Sequence, residues 1–431
     1  MSVIRSVHGR QVLDSRGRPT VEVEVGTDDG VVARASVPSG ASTGTHEAHE
    51  LRDGDRAMFN SLGVLSAVAH VNAEIAAALR GHDVVDQQGC DRVLRVLDGT
   101  PGLSRLGANA VLGTSLATCR ASAKVLRQPL FRRIADLAGA EPTLPMPMVN
   151  IFSGGLHAGR GMDVQDFLAV PISASTMLDA IRLTAEVRDA ATVVCAERGL
   201  PTLLADEGGL SPGCRTGRDA LELLVVAGER AGLQPGVDIA IAIDVAATAL
   251  YDSATGVYQL RREGRLASTA DMIEMISGWV EDYPIVSIED ALDEEDWAGW
   301  RELTARLGDR VRLIGDDLFT TNAQRLTQGI ASGCANGVLV KVNQNGRLSG
   351  TLDVVGKARE AGYVPVVSAR SGETEDDLLA DLAVGTAAGQ IKVGSMRSGE
   401  RLAKYNQLIR IAEDVSLPFG ALVAPTSGAT R

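Results

Sequence analysis

Lysine, histidine and aromatic side chains are scarce in this sequence. Of its 42 basic residues only Lys124, Lys341, Lys357, Lys392 and Lys404 are lysine, six residues are histidine, and aromatics make up 3%. The five cysteines (Cys90, Cys119, Cys195, Cys214, Cys334) are scattered, odd in number and never spaced as CxxC. That pattern argues against disulfides and a zinc site, and fits reduced, buried thiols. No apolar run approaches the roughly 18 residues of a spanning helix, and the opening MSVIRSVHGRQVLDSRG lacks the apolar core of a signal peptide. A cytoplasmic location without a membrane partner is expected. Basic residues never cluster and the formal net charge is −13. Nucleic acid and anionic membranes are therefore poor partners, and an anionic ligand has to be held locally.

What is present is ample core material. With 431 residues, 45% of them hydrophobic and 23% charged, the chain is too long for one small module. It suits two or three domains, or a small domain beside a barrel of roughly 250 residues. TVEVEVGT and VVARASV alternate apolar and polar residues about an Asp28-Asp29-Gly30 turn, which predicts a three-stranded antiparallel sheet in the first 45 residues. Helical periodicity follows from Ser66 and again from Gly107. EPTLPMPMVN (141–150) is punctuated by proline and reads as the crossing between an α+β domain, 1–138, and a second domain, 139–431.

In the second part, short apolar runs alternate with amphipathic stretches, and each run ends in polar residues. DIAIAID ends at Asp244, YPIVSIED has Glu289, VRLIGDD has Asp316, GVLVKVN has Lys341, YVPVVSAR has Arg370 and GQIKVGS has Lys392. Repeated βα units of buried parallel strands predict a doubly wound sheet or a barrel, and the lack of a glycine-rich phosphate loop after the first run favours the barrel. All six polar positions then fall at the functional strand ends.

Asp244, Glu289 and Asp316 at one mouth could not all stay ionised without a cation, and all-oxygen ligation points to Mg²⁺ or Mn²⁺. Lys341, one strand further round, is expected to have its pKa lowered by that metal and to act as a base. Lys392 can pair with substrate charge. Asp206-Glu207-Gly208-Gly209 follows the apolar run TLLA, placing Glu207 at the mouth as a candidate acid opposite the lysine. Asp290, Asp293, Glu294 and Glu295 read as helix N-terminal acids. Together the set suits removal of a proton α to a carboxylate. The loops PSGASTG (38–44) and SGGLHAGRG (153–161) can close over the mouth, and Arg370 with Ser371 suits a phosphate.

LDSRGRPTVEVEV, VPSGASTG, GANA, ADEGG, SIED, GDDLF, RSGETED, DLAVGTAAGQIK and RLAKYNQLIRI, in this order and over nearly the whole chain, resemble the enolase (phosphopyruvate hydratase) family. The resemblance implies an N-terminal α+β domain followed by an atypical eight-stranded α/β barrel, as a homodimer or higher homo-oligomer, acting on a small phosphorylated carboxylic acid with two magnesium ions per site. It implies Asp244, Glu289 and Asp316 as ligands of the first ion, and Ser39 as a ligand of the second, near the substrate phosphate. Lys341 would take the C2 proton of 2-phosphoglycerate and Glu207 would help the 3-hydroxyl leave. Gln165, Arg370, Ser371 and Lys392 would contact substrate, and His157 would close over it.

The departures concentrate at one end of the site. Family members carry His before RSGETED, where this chain has Ala369, and Glu in the QEF motif, where it has Asp166; lesser ones include Gly213, Thr248-Ala249 and AMFNSLGV. The proton-abstracting half is thus intact and the elimination half altered. Three functions stay open. One is a specialised homologue that forms the same enolate and uses the hydroxyl end for another group, as carboxyphosphonoenolpyruvate-forming enzymes of phosphinate antibiotic pathways do. The others are an ordinary enolase, releasing phosphoenolpyruvate and water, and a non-catalytic binding protein.

Overall fold

A computed structural model describes residues 2–41, 43–414 and 416–420. Ser42 of the PSGASTG loop and the last eleven residues of the expected second domain lie outside them. β1 (Ile4–Leu13), β2 (Pro19–Thr27) and β3 (Val32–Ser36) form the expected antiparallel meander. Gly30 closes its second turn at φ +86°, a conformation glycine adopts without a Cβ clash. Val21, Val23 and Val25 of β2 alternate inward, and helix Ala108–Val125 covers the sheet.

The remainder is built around a closed eight-stranded barrel in the order β10, β11, β12, β13, β14, β4, β5, β6. Its strands are β4 (Met146–Ser153), β5 (Asp166–Val170), β6 (Ala240–Asp244), β10 (Ile285–Glu289), β11 (Arg312–Gly315), β12 (Gly337–Val340), β13 (Val364–Ser368) and β14 (Gln390–Gly394). Between β6 and β10 a small antiparallel sheet is formed by β7 (Tyr251–Asp252), β8 (Val257–Leu260) and β9 (Arg265–Ala267). β5 runs antiparallel to both neighbours, while the other barrel pairings are parallel.

Two sequence expectations need correction. The proline-rich stretch is not all connector: Met146 to Asn150 already belong to β4. Pro147 is tolerated because β4 pairs with β5 only from Val149 onward, so the missing N–H leaves no gap on that side. The run TLLA is not a barrel strand either. Leu203 and Leu204 are exposed, and the segment is held as a loop by the short bridge from Leu204 to Leu210.

Asp381 ties the first region to the barrel. Its buried carboxylate accepts from the Phe131 N–H at 3.0 Å and the Gln407 amide at 3.1 Å. Burial, and then the charge of Asp377, pushes this carboxyl up to about 7. The native state keeps a proton that the unfolded chain releases near 3.8. This contribution to stability is therefore full below pH 4 and is lost as pH rises through 7. Relative to Asp381→Asn, the native chain should lose on the order of 3 kcal/mol between pH 4 and pH 8 in denaturant unfolding. A difference that does not change with pH would refute the assignment.

Candidate active site

The period of two along each strand carries the barrel interior directly into the chemistry. Ala240 and Ala242 point into the apolar interior and Asp244 follows on the same face; Leu339 leads in the same way to Lys341, and Ile314 to Asp316. The reversal of β5 brings its beginning, not its end, to this mouth, so Asp166 pairs in register with Asp244. That is why Gln165 and Asp166 stand at the beginning of their strand, whereas Asp244 and Glu289 end theirs and Asp316 and Lys341 follow theirs.

The acids come together around the two lysines. Lys392 Nζ donates to Asp244 Oδ2 and to Glu289 Oε2, each at 2.7 Å, and Gln165 Nε2 donates to Asp244 Oδ2 at 3.0 Å. Lys341 Nζ donates to Asp316 Oδ2, whose Oδ1 accepts from Gln344 Nε2 at 2.9 Å. Burial, then the neighbouring charge of Asp244, pushes Glu289 well above the carboxylate range; burial opposes ionisation of Asp244 too, but Lys392 outweighs it and holds that group low. Burial likewise pulls Lys341 down, yet the Asp316 carboxylate together with other acids such as Glu289 more than offsets it, so this lysine stands above its usual value. The sequence expectation of a lowered lysine thus has the opposite sign for the protein's own charges. A cation drawing on Asp316 would withdraw that stabilisation of the ammonium.

The trio fits a hard divalent ion. Glu289 Oε1 is buried with no hydrogen-bond partner among the described residues, and the donors are all carboxylate oxygens, the set magnesium prefers. Among the described residues two groups of side chains bring three potential ligand atoms within 4.8 Å of one another, Asp290, Asp316 and Asp317, and His157, Asp166 and Glu207; the expected trio of Asp244, Glu289 and Asp316 is not drawn together in this way, its oxygens being held by Lys392 and Lys341. Asp290 is not a helix N-terminal acid. Its carboxylate accepts the N–H groups of Asp316 and Asp317, each at 2.8 Å, and so fixes the turn that aims Asp316. We expect Asp316→Ala to weaken Mg²⁺ binding by at least about tenfold, about 1.4 kcal/mol, in calorimetry. Unchanged binding would remove Asp316 from the metal site.

At the other end of the mouth, Asp166 Oδ1 accepts from Asn150 Nδ2 at 2.6 Å and from Ser153 Oγ at 2.8 Å. Its Oδ2 lies 3.8 Å from His157 Nδ1, which is 3.6 Å from Glu207 Oε1. Asp166 Oδ2 and His157 Nδ1 are both buried without a hydrogen-bond partner among the described residues. Burial, then the charge of Glu207, pushes Asp166 well up; for Glu207 the burial penalty is outweighed by His157 and the basic groups beyond it, leaving it below its usual value. The carboxyl pushed toward its protonated form is thus Asp166, whereas the sequence made Glu207 the candidate acid.

Three expected phosphate or metal contacts are engaged elsewhere. Arg370 donates to both carboxylate oxygens of Glu47, at 2.9 and 3.2 Å, and to Asn343 Oδ1 at 2.9 Å. Ser371 Oγ accepts from Arg16 at 3.2 Å. Ser39 Oγ donates to Glu50 and accepts from Arg52. The Ser39 hydroxyl and the guanidinium reach a ligand by exchanging partners, whereas the Ser371 hydroxyl accepts from Arg16 and keeps its own O–H to donate. Sequence reasoning missed Asn150, Ser153, Glu47 and Gln344. The polar end of MPMVNIFS was a usable signal for the first two, hidden by the prolines before it.

Buried acids, two lysines and a histidine gather at one barrel mouth, a set of groups able to move protons on a small anion. Family models described as "Enolase, N-terminal domain" and "Enolase, C-terminal TIM barrel domain" match residues 4–134 and 141–419. The chain belongs to the enolase family. Among the described residues no helix is long and apolar enough to cross a membrane.

Proposed function

We propose that this chain is a Mg²⁺-dependent enzyme that removes the C2 proton of 2-phosphoglycerate, or a close phosphorylated analogue, to form an enolate. We further propose that its leaving-group end serves specialised phosphonate or phosphinate chemistry, giving phosphoenolpyruvate or a phosphoenolpyruvate-like product such as carboxyphosphonoenolpyruvate. One observation carries the reading: an intact base and acid trio stand beside an end where Asp166 presents an unpartnered oxygen and position 369 offers only a methyl group.

Asp244, Glu289 and Asp316 hold the first ion. When bound there, Mg²⁺ supplies positive charge beside the substrate carboxylate and favours loss of the neighbouring proton. Lys341, as the free amine, takes that proton. Lys392 keeps its charge between Asp244 and Glu289 and turns it toward the substrate anion, with Gln165 beside it. Arg370 and Ser39 receive the phosphate after exchanging their present partners, Ser371 donates its O–H to it, and Ser39 assists a second ion. Asp166 and Glu207 share the proton for the departing group, and His157 closes over it. The working assembly is a homodimer or higher homo-oligomer, as in the family, and residues 1–138 and 139–431 are its two domains.

Incubation with 2-phosphoglycerate and Mg²⁺ in D₂O, following C2-proton exchange and phosphoenolpyruvate absorbance together, tests this. Exchange should outpace dehydration. Full-rate dehydration would make the chain an ordinary enolase, and absence of both would make it a binding protein.

A further inference from the structure

Beside Gln165 lies a cavity of about 390 Å³, walled by two segments within residues 155–165 and 246–261. Met162, Ala249 and Leu250 give it an apolar lining, and Gln165 joins it to the mouth through the bond to Asp244. The first wall is the segment that carries His157, so the cavity adjoins the leaving-group end.

Two acids and two arginines also line it, and their situations differ. Asp163 accepts the N–H groups of Arg262 at 2.9 Å and Glu263 at 3.2 Å; Asp252 accepts the Ala254 N–H at 3.0 Å and the Gln259 amide at 2.9 Å. These bonds fix both carboxylates against their own walls. Arg160 makes no side-chain hydrogen bond or ion pair to the described residues, and Arg261 makes one bond, to Gln259 Oε1 at 3.2 Å. A guanidinium offers five donors in a planar fork that matches carboxylate and phosphonate oxygens, so most of that capacity is unspent. Both walls also contain a strained residue, Arg160 at φ +60° and Ala246 at φ +49°. Non-glycine residues keep such conformations where their surroundings enforce them, commonly at ligand sites.

We propose that this cavity is a subsite for an acidic arm of the substrate: a short carbon chain on the carbon bearing the leaving group, ending in a carboxylate or phosphonate held by Arg160 and Arg261. The inference rests on the reading of the mouth as a site for a 2-phosphorylated acid, and names a substrate class larger than 2-phosphoglycerate, which has no acid group on C3.

The test is calorimetry on the full chain with Mg²⁺, carrying Lys341→Ala so that affinity is read without turnover. The probes are 2-phosphoglycerate, 2-phosphotartrate, which adds a carboxylate at C3, and the analogue with a phosphonate at that place. One of the longer acids should bind at least about tenfold more tightly than 2-phosphoglycerate. Arg261→Ala should remove that gain while changing the affinity for 2-phosphoglycerate less than about twofold, and Ala249→Glu, which puts a carboxylate into the cavity, should do the same. Longer acids that bind no more tightly, or an Arg261→Ala variant that weakens all three equally, would overturn the subsite. C2-proton exchange in the unmodified chain tests the mouth separately, so an Arg261-dependent gain without exchange would uphold the subsite and refute the proposed reaction.

Discussion

Lys341→Ala should abolish exchange of the C2 proton of 2-phosphoglycerate with D₂O, a loss of at least about 100-fold for removal of a general base. Among the lysines in a chain that otherwise uses arginine, Lys341 ends the apolar run of β12, and its amine lies against Asp316. Lys341→Arg should be equally inactive, because guanidinium stays protonated at neutral pH. Circular dichroism should show both variants folded. Exchange surviving in the arginine variant would mean that another group takes the proton.

The second large effect concerns the departing group. Ala369→His with Asp166→Glu should raise dehydration of 2-phosphoglycerate by on the order of 100-fold or more, and by more than the two single changes predict together. Asp166 is one C–C bond, about 1.5 Å, shorter than the family's glutamate. Its Oδ1 is tied to Asn150 and Ser153, so the free Oδ2 cannot advance without breaking those bonds. Position 369 sits at the end of β13, with its N–H bonded to the Lys392 carbonyl. Exchange should change far less, since Lys341 is untouched. A double variant with unaltered dehydration would show that these two positions do not limit elimination.

Much of this architecture is legible in the sequence. Period-two alternation predicts the meander, and apolar runs leading to Asp244, Glu289, Asp316, Lys341, Arg370 and Lys392 predict six of the eight barrel strands. β4 was obscured because proline signals a break wherever the pairing partner is unknown. β5 was obscured because a reversed strand puts its chemistry at its start, and only the resemblance pointed to Gln165 and Asp166. The partner of Arg370, Glu47, comes from a distant segment, and those of Ser39, Glu50 and Arg52, lie 11 and 13 positions away across a loop whose path no local pattern predicts. The direction of the Lys341 shift depends on which carboxylate lies nearest, and spacing alone does not say.

The pairing of Arg370 with Glu47 also bears on how the chain acquires its activity. The two residues are 323 positions apart, and Arg16 reaches Ser371 across 355. Contacts at such separation carry a large loop-closure entropy and form slowly. During refolding from denaturant, helical signal should therefore return well before substrate binding, because the Arg370 end of the mouth is completed only when the beginning of the polypeptide docks against a strand end near its finish.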